Sequence, residues 1–267
     1  TLDHVTDVAA RFPGRARQDG HYYCIDFTLT ELRTLCIVER KAASGQGMRF
    51  PGRFPDAGGL FRIVSFDEEL AFIDGLNRST GRIAGIYPEI KDPQWHREQG
   101  IEIAPMFLAT LGRFGYSGPR DPVFIQCFDP AELRRVRESL GCRLPLVQLL
   151  EGVGSGGAVP TRRELNEIAS YANGIGPSIS LIARREGTTV VTTSLVADAH
   201  AENLLVHPYT FRRDELPPGF TTFDELLDLF LVRLRVDGVF SDFPDLTAQF
   251  LMRHRGEFAS SPGSGQR

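Results

Sequence analysis

Glu89 and Lys91 are the residues whose types and spacing first suggest chemistry. They end the apolar run Ile86-Tyr87-Pro88-Glu89-Ile90-Lys91, and residues two apart on a strand share a face. A carboxylate beside an ammonium suits a metal and a phosphate. Glu supplies a hard oxygen ligand, and Lys neutralises charge on a phosphoryl group in transfer. Two other readings stay open: an ordinary salt-bridged strand end, and a strand-tip lysine that forms a Schiff base as in aldolase-type barrels. Gln126, His207, Tyr209 and Asp242 also close apolar runs. Taken singly, each is more often a satisfied structural residue. Their recurrence at equivalent places gives them weight, because polar side chains gathered at one rim of a barrel line a single pocket.

These tips need strands behind them. Strand candidates fall near 83–90, 123–128, 144–150, 174–180, 204–209 and 238–243, separated by helix-like stretches that suit right-handed βα crossovers. Ser65-x-x-Glu68, Thr161-x-x-Glu164 and Thr222-x-x-Glu225 read as capping boxes, and Asp129-Pro130 as a cap with Pro at the first helical position. Leu133, Val136 and Leu140 share a face ahead of Gly141, which stops that helix; Leu226, Phe230 and Leu234 repeat at spacing four. This gives six βα units. A closed parallel barrel takes eight, so either two are missing or the sheet is open. The expected organisation is a mixed region over 1–60, alternating strand and helix over 61–256, and a disordered Ser/Gly/Pro tail over 257–267.

At 267 residues, 42% hydrophobic and 24% charged, the chain is long enough to bury a full core. A net charge of −4 with scattered Lys and Arg argues against nucleic acid, which demands a concentrated basic surface. No run approaches the roughly 20 apolar residues that span a bilayer, so no stable membrane insertion is expected. Cys24, Cys36, Cys127 and Cys142 lack C-x-x-C spacing, which disfavours structural zinc and leaves disulfides open. His96 and His200 read as surface residues without a partner at metal-ligand spacing. The glycine-rich stretch at 152–157 lacks the Gly-Lys-Ser/Thr of a phosphate loop and reads as a flexible connector. Asn77-Arg78-Ser79 is a glycosylation sequon, relevant only in a eukaryotic secretory setting.

A longer set of segments resembles one enzyme family. Thr6-Asp7-Val8-Ala9-Ala10-Arg11-Phe12-Pro13, Asp19-Gly20-His21-Tyr22-Tyr23 and Ile25-Asp26-Phe27-Thr28 are similar to the insertion segment of periplasmic-type glycerophosphodiester phosphodiesterases. The likeness continues through Gly85-Ile86-Tyr87-Pro88-Glu89-Ile90-Lys91, Gln126-Cys127-Phe128-Asp129, Tyr171-Ala172-Asn173-Gly174-Ile175-Gly176-Pro177, Val206-His207-Pro208-Tyr209-Thr210 and Asp242-Phe243-Pro244-Asp245. It implies an α/β TIM (β/α)8 barrel of the phosphatidylinositol-phosphodiesterase-like type with a small insertion subdomain. It also implies metal-dependent hydrolysis of glycerophosphodiesters to glycerol 3-phosphate and an alcohol, with Ca²⁺ or Mg²⁺ held by three carboxylates and two histidines acting at phosphorus and on the leaving alkoxide.

Carried over residue by residue, the resemblance makes Glu89 a metal ligand and Lys91 the phosphate-facing, catalytic lysine. Gln126, Phe128, Tyr209 and Arg212 become substrate-pocket positions, and His207 pocket wall. The family's His-Arg-Gly, Glu-x-Asp and His-Asp motifs have no counterpart here; Arg253-His254-Arg255-Gly256 imitates the first but follows the last strand candidate. The expectation is therefore a chain resembling the family's C-terminal three-quarters, lacking the first two βα units and inactive alone. A periplasmic or secreted location is implied by resemblance only, and oligomeric state is left open. The competing readings are a catalytically silent barrel that binds glycerophosphodiesters or a protein partner, and a Lys91 Schiff-base lyase.

Overall fold

Backbone pairing decides which of the apolar runs become strands, and the computed structural model describes it for residues 1–40, 42, 47–53, 61–187 and 189–256. The expected tail at 257–267 lies outside the described residues. The chain divides into two compact units, Thr1–Gly81 and Arg82–Arg267. The helix Phe66–Thr80, grouped from sequence with the βα units, falls in the first.

The first unit has few regular elements. Isolated antiparallel bridges join Thr6 to Ile37 and Cys36 to Arg62. Leu2, Val8, Tyr22, Phe27 and Leu35 form its core, with Phe12, Ala16, Leu32 and Ile63 packed against them. The Arg15 guanidinium lies 4.2 Å from the Phe27 ring centroid, a cation–π contact that covers one side of this small core. The helix Phe66–Thr80 opens with the expected Ser65/Glu68 capping box and ends at Gly81, whose φ of +66° is the left-handed stop that glycine adopts without penalty.

The second unit is built on parallel strands: β1 (Ile125–Cys127), β2 (Leu146–Leu150), β3 (Gly174–Pro177), then an antiparallel pair β4 (Ala183–Glu186) and β5 (Thr189–Thr192), and β6 (Leu205–Val206). The parallel sheet runs β1-β2-β3-β6. Two further extended segments continue it through bridges. Ile86 and Glu89 pair with Val123 and Gln126 on one side, and Phe211 pairs with Ser241 on the other. Asp237 N also donates to Val206 O at 3.0 Å and Phe240 N to Pro208 O at 3.0 Å. The six parallel segments read from sequence therefore lie side by side in chain order, the arrangement of a TIM-barrel-like α/β fold. Ile125, Cys127, Leu146, Val147, Ile175 and Val206 are wholly buried, as strands covered on both faces must be. The β4–β5 hairpin was not among the strand candidates. Its side chains are mostly exposed, so no apolar run marks it.

The helix starts show where local sequence suffices. Thr161 and Glu164 form a full capping box, and Asp129 accepts from Ala131 N and Glu132 N. At Thr222 the expectation is half right: its hydroxyl accepts from Glu225 N, but the Glu225 carboxylate turns to Thr221 N and Thr221 Oγ1. The helix that follows, Phe223–Leu227, widens into a π-helical stretch over Asp228–Arg233. Leu226 and Phe230 are buried, while Leu234 is only partly so. The glycine-rich segment is a folded turn rather than a loose connector: Val153–Ser155 forms a 3-10 turn, and a Cβ on Gly157 would lie 1.8 Å from Glu151 O.

Candidate active site

Glu89, Lys91, Asp92, Cys127, Phe128, Asp129 and Glu151 line one open cleft of about 750 Å³. Its position follows from the sheet. The bridge between Glu89 and Gln126 sets the tip of the first segment beside the end of β1, and Glu151 follows directly on β2. Carboxylates therefore gather where the parallel strands end, the face on which such folds carry chemistry.

Charge is held there at some cost. Burial pushes the Glu89 carboxyl above its ordinary value; Lys91 opposes the rise, and the Asp92 and Glu151 charges add to it. Lys91 Nζ sits 3.6 Å from Glu89 Oε2, with its side chain 72% exposed. That exposure suits an ammonium reaching for an anion and disfavours a Schiff-base lysine, which is activated by a desolvated pocket or a neighbouring cation. Asp92 has φ +45°, at the entrance to the helix Pro93–Glu98; Asp tolerates this left-handed conformation better than most residues. Cys127 lies under the cleft, and burial lifts its thiol to about 12. It donates to Ile90 O at 3.1 Å and is a packing residue, not a nucleophile.

The remaining site candidates go elsewhere. Gln126 is buried and spends its amide on Tyr87 O at 3.2 Å. His207 Nδ1 is hydrogen-bonded to the Tyr87 hydroxyl at 2.8 Å, and the His207 ring meets Phe124 edge-on at 5.1 Å. Burial holds its pKa below the ordinary histidine value, so it is a neutral member of an aromatic cluster. Tyr209 packs edge-on against Phe128 at 6.0 Å and donates its hydroxyl to Leu150 O at 2.9 Å. Through Phe128 it reaches the cleft wall. Arg212 is engaged by Asp242 at 2.7 Å and Glu215 at 2.9 Å. Of the expected set, only Glu89, Lys91 and Phe128 line the cleft.

Sequence reasoning passed over two residues that matter here. Glu151 obeys the strand-tip rule that picked out Glu89, and could have been found by it. Gln148 carried no such signal. Its buried amide donates to Phe128 O at 2.9 Å and Leu149 O at 3.0 Å, and its carbonyl accepts from Tyr171 OH at 2.9 Å. That ties the end of β1 to β2 beneath the cleft.

Comparison with known proteins places the chain in a family. Residues 1–246 match the glycerophosphoryl diester phosphodiesterase family. The chain belongs to that family. It is 39% identical over 275 residues to a glycerophosphodiester phosphodiesterase of Haemophilus influenzae, spanning 94% of this chain and 76% of that protein. A Treponema pallidum protein of the same name is 34% identical over 279 residues, spanning 94% and 77%. A crystal structure from Silicibacter pomeroyi, provisionally named for the same activity, superposes with a TM-score of 0.61 at 22% identity, covering 88% of this chain and 73% of that one. It supports the fold alone. The family is one of phosphodiester hydrolases that act on small molecules. No helix among the described residues is long and apolar enough to cross a membrane.

The resemblance implies a divalent cation, and the cleft's donors can be weighed for one. Glu89 and Glu151 carry carboxylates into one cleft, where burial first and the neighbouring Asp92 and Glu151 charges after it raise the Glu89 pKa. That chemistry fits a hard cation such as Mg²⁺, which takes one or two protein carboxylates beside water and phosphate oxygens. It falls short of the roughly six to eight oxygens of Ca²⁺ from side chains alone. Among the described residues the one trio of ligand atoms that converges is Asp3, His4 and His21, in the first unit.

Proposed function

We propose that this cleft is the phosphate end of a metal-dependent site that hydrolyses glycerophosphodiesters to glycerol 3-phosphate and an alcohol. The observation that supports it most is Glu89 and Lys91 together on a cleft at the strand ends, with Glu151 opposite in charge to Lys91. Lys91 would lie against the non-bridging phosphoryl oxygens, where its charge counts most as negative charge moves outward in the transition state. Phe128, backed by Tyr209, offers an apolar wall to the glycerol carbons. Glu89, with Glu151, would hold Mg²⁺ or Ca²⁺, which supplies Lewis-acid stabilisation of the phosphate when bound.

Protonation of the departing alkoxide calls for a general acid, and no histidine lines this cleft. The resemblance assigns that work to histidines without a counterpart in the 267 residues. We therefore take residues 1–267 to bind substrate and cation without completing turnover, as the part of such an enzyme that follows its first two βα units, with an insertion subdomain in the first unit. Export to a periplasm or beyond the cell belongs to the same reading.

Calorimetry with glycerophosphocholine and Mg²⁺, beside an assay for glycerol 3-phosphate release, tests each part. Cation-dependent binding that Lys91→Ala and Glu89→Gln each weaken at least tenfold, without release, is the expected result. Release that depends on Glu89 would overturn the silent half and leave the hydrolase half standing. No binding with or without cation would remove the site assignment.

A further inference from the structure

We infer that Asp3, His4 and His21 form a binding site for a zinc-class divalent ion that clips the start of the chain to the segment around His21 in the first unit. The inference does not rest on the hydrolytic reading. Asp3 Oδ2 lies 2.9 Å from His21 Nδ1 and 3.6 Å from His4 Nε2. All three ligand atoms fall within 4.8 Å of one another. In a tetrahedral zinc site with bonds near 2.0–2.1 Å, neighbouring ligand atoms stand about 3.3 Å apart. The two observed separations bracket that value, so small side-chain rotations complete the geometry. Three protein ligands then leave a fourth position for water.

The surroundings aim these atoms. Asp3 uses its other oxygen, Oδ1, to accept from Tyr22 N at 3.1 Å, which leaves Oδ2 directed at the imidazoles. His4 Nδ1 has the Thr1 hydroxyl at 3.4 Å, an outer partner that turns Nε2 inward, as such partners do for metal-bound histidines. Leu2 N donates to Tyr22 O at 2.8 Å, and His21 N donates to Asp19 Oδ1 at 2.9 Å. The two chain segments are thus already joined by backbone, and an ion would find its ligands nearly ordered. The His4 and His21 rings meet edge-on, with centroids 5.4 Å apart. Two imidazoles and one carboxylate favour Zn²⁺, Co²⁺ or Ni²⁺ over Ca²⁺ and Mg²⁺, which prefer all-oxygen shells. In the free protein the carboxylate can only accept, so His21 Nδ1 carries the shared proton. On binding, that proton passes to Nε2 and the Nδ1 lone pair turns to the ion.

The test is titration of the chelator-treated full chain with ZnCl₂ by calorimetry, with Co²⁺ absorption as a spectroscopic readout of coordination. One zinc per chain, a higher melting temperature with zinc, and at least a tenfold weaker Kd in His4→Ala are expected. His4 is exposed, so that variant should keep the parent circular dichroism spectrum; Asp3→Asn provides a second single change. The double variant His4→Ala/His21→Ala should lose the site. Absence of zinc binding at micromolar concentrations, unchanged affinity in folded His4→Ala and Asp3→Asn, or displacement of zinc by an equal concentration of Ca²⁺ would each overturn the inference.

Discussion

The two ends of the parallel sheet in the second unit differ in how their polar groups are satisfied. At the strand starts, polar side chains are spent on backbone. Arg137 donates to Tyr171 O at 3.0 Å, Leu144 O at 3.2 Å, Asn173 Oδ1 at 2.8 Å and the carbonyl of Cys142, while Asn173 Oδ1 also accepts from Leu146 N at 3.0 Å. Asp237 does the same for β6, accepting from Val206 N at 2.8 Å with His200 Nε2 at 2.9 Å. At the strand ends, Glu89, Asp92 and Glu151 set like charges on one cleft, and burial, with those charges adding to it, lifts the Glu89 pKa. One end lowers the free energy of the fold, and the other holds charge ready for something that is not protein. Conserving stability at one face is what lets the opposite face carry repulsion.

The sharpest way to break this comparison is a swap of truncations. Arg137→Ala leaves three carbonyls and the Asn173 amide oxygen short of their donor, and should cost about 2–3 kcal/mol in urea unfolding, with ligand binding at the cleft unchanged. Glu89→Gln should move stability by no more than about 0.5 kcal/mol while weakening cation-dependent binding. If Glu89→Gln unfolds the protein and Arg137→Ala is silent, the two ends have been assigned the wrong way round.

An effect of similar or smaller size is expected at Gly157, in the turn that follows β2 and Glu151. Alanine there sets a methyl 1.8 Å from Glu151 O, so the turn must open and Glu151 must shift. The variant should lose about 1–3 kcal/mol, as overpacked sites do, and should weaken Mg²⁺ binding with it. Loss of stability with full Mg²⁺ affinity would show that Glu151 plays no part in holding the cation.

The least effect should come from pH at the His200–Asp237 pair. Its bond to Asp237 raises the His200 pKa, against burial, which lowers it. Its stabilisation is whole below the unfolded value near 6.5 and fades as pH climbs through the folded one. Burial works against the Asp237 shift, but hydrogen bonds from His200 and Val206 carry its pKa below the ordinary value. Its stabilisation is present above about pH 4 and is lost as pH falls through the folded value. Urea midpoints should therefore be highest between about pH 4 and 6.5 as far as this pair is concerned. The half-exposed pair is screened, so the alkaline decline should be at most about 1 kcal/mol. His200→Gln should flatten it, and an unchanged slope would assign the decline to other groups.

Much of the second unit was legible in the sequence because its signals are local. A buried parallel strand announces itself as an apolar run, and a helix start as Asp129-Pro130 or Thr161-x-x-Glu164, since the atoms that satisfy one another lie within a turn. Thr222 shows the limit: its neighbour Thr221 competes for the same Glu225 carboxylate, and only the backbone path decides between them. The β4–β5 hairpin escaped for a related reason, having no buried face to mark it.

The site divides along the same line. Sequence by itself determined that Glu89 and Lys91 stand at a strand tip, because a period of two and a run of apolar residues suffice to place them on one rim. The same rule reaches Glu151, which follows directly on β2. Tertiary structure alone decided that His207 turns into an aromatic cluster, that Arg212 is held by Asp242 and Glu215, and that Asp3, His4 and His21 meet at all. Each of those outcomes depends on which distant backbone lies alongside, and side-chain partners across that distance are set by packing, not by spacing along the chain.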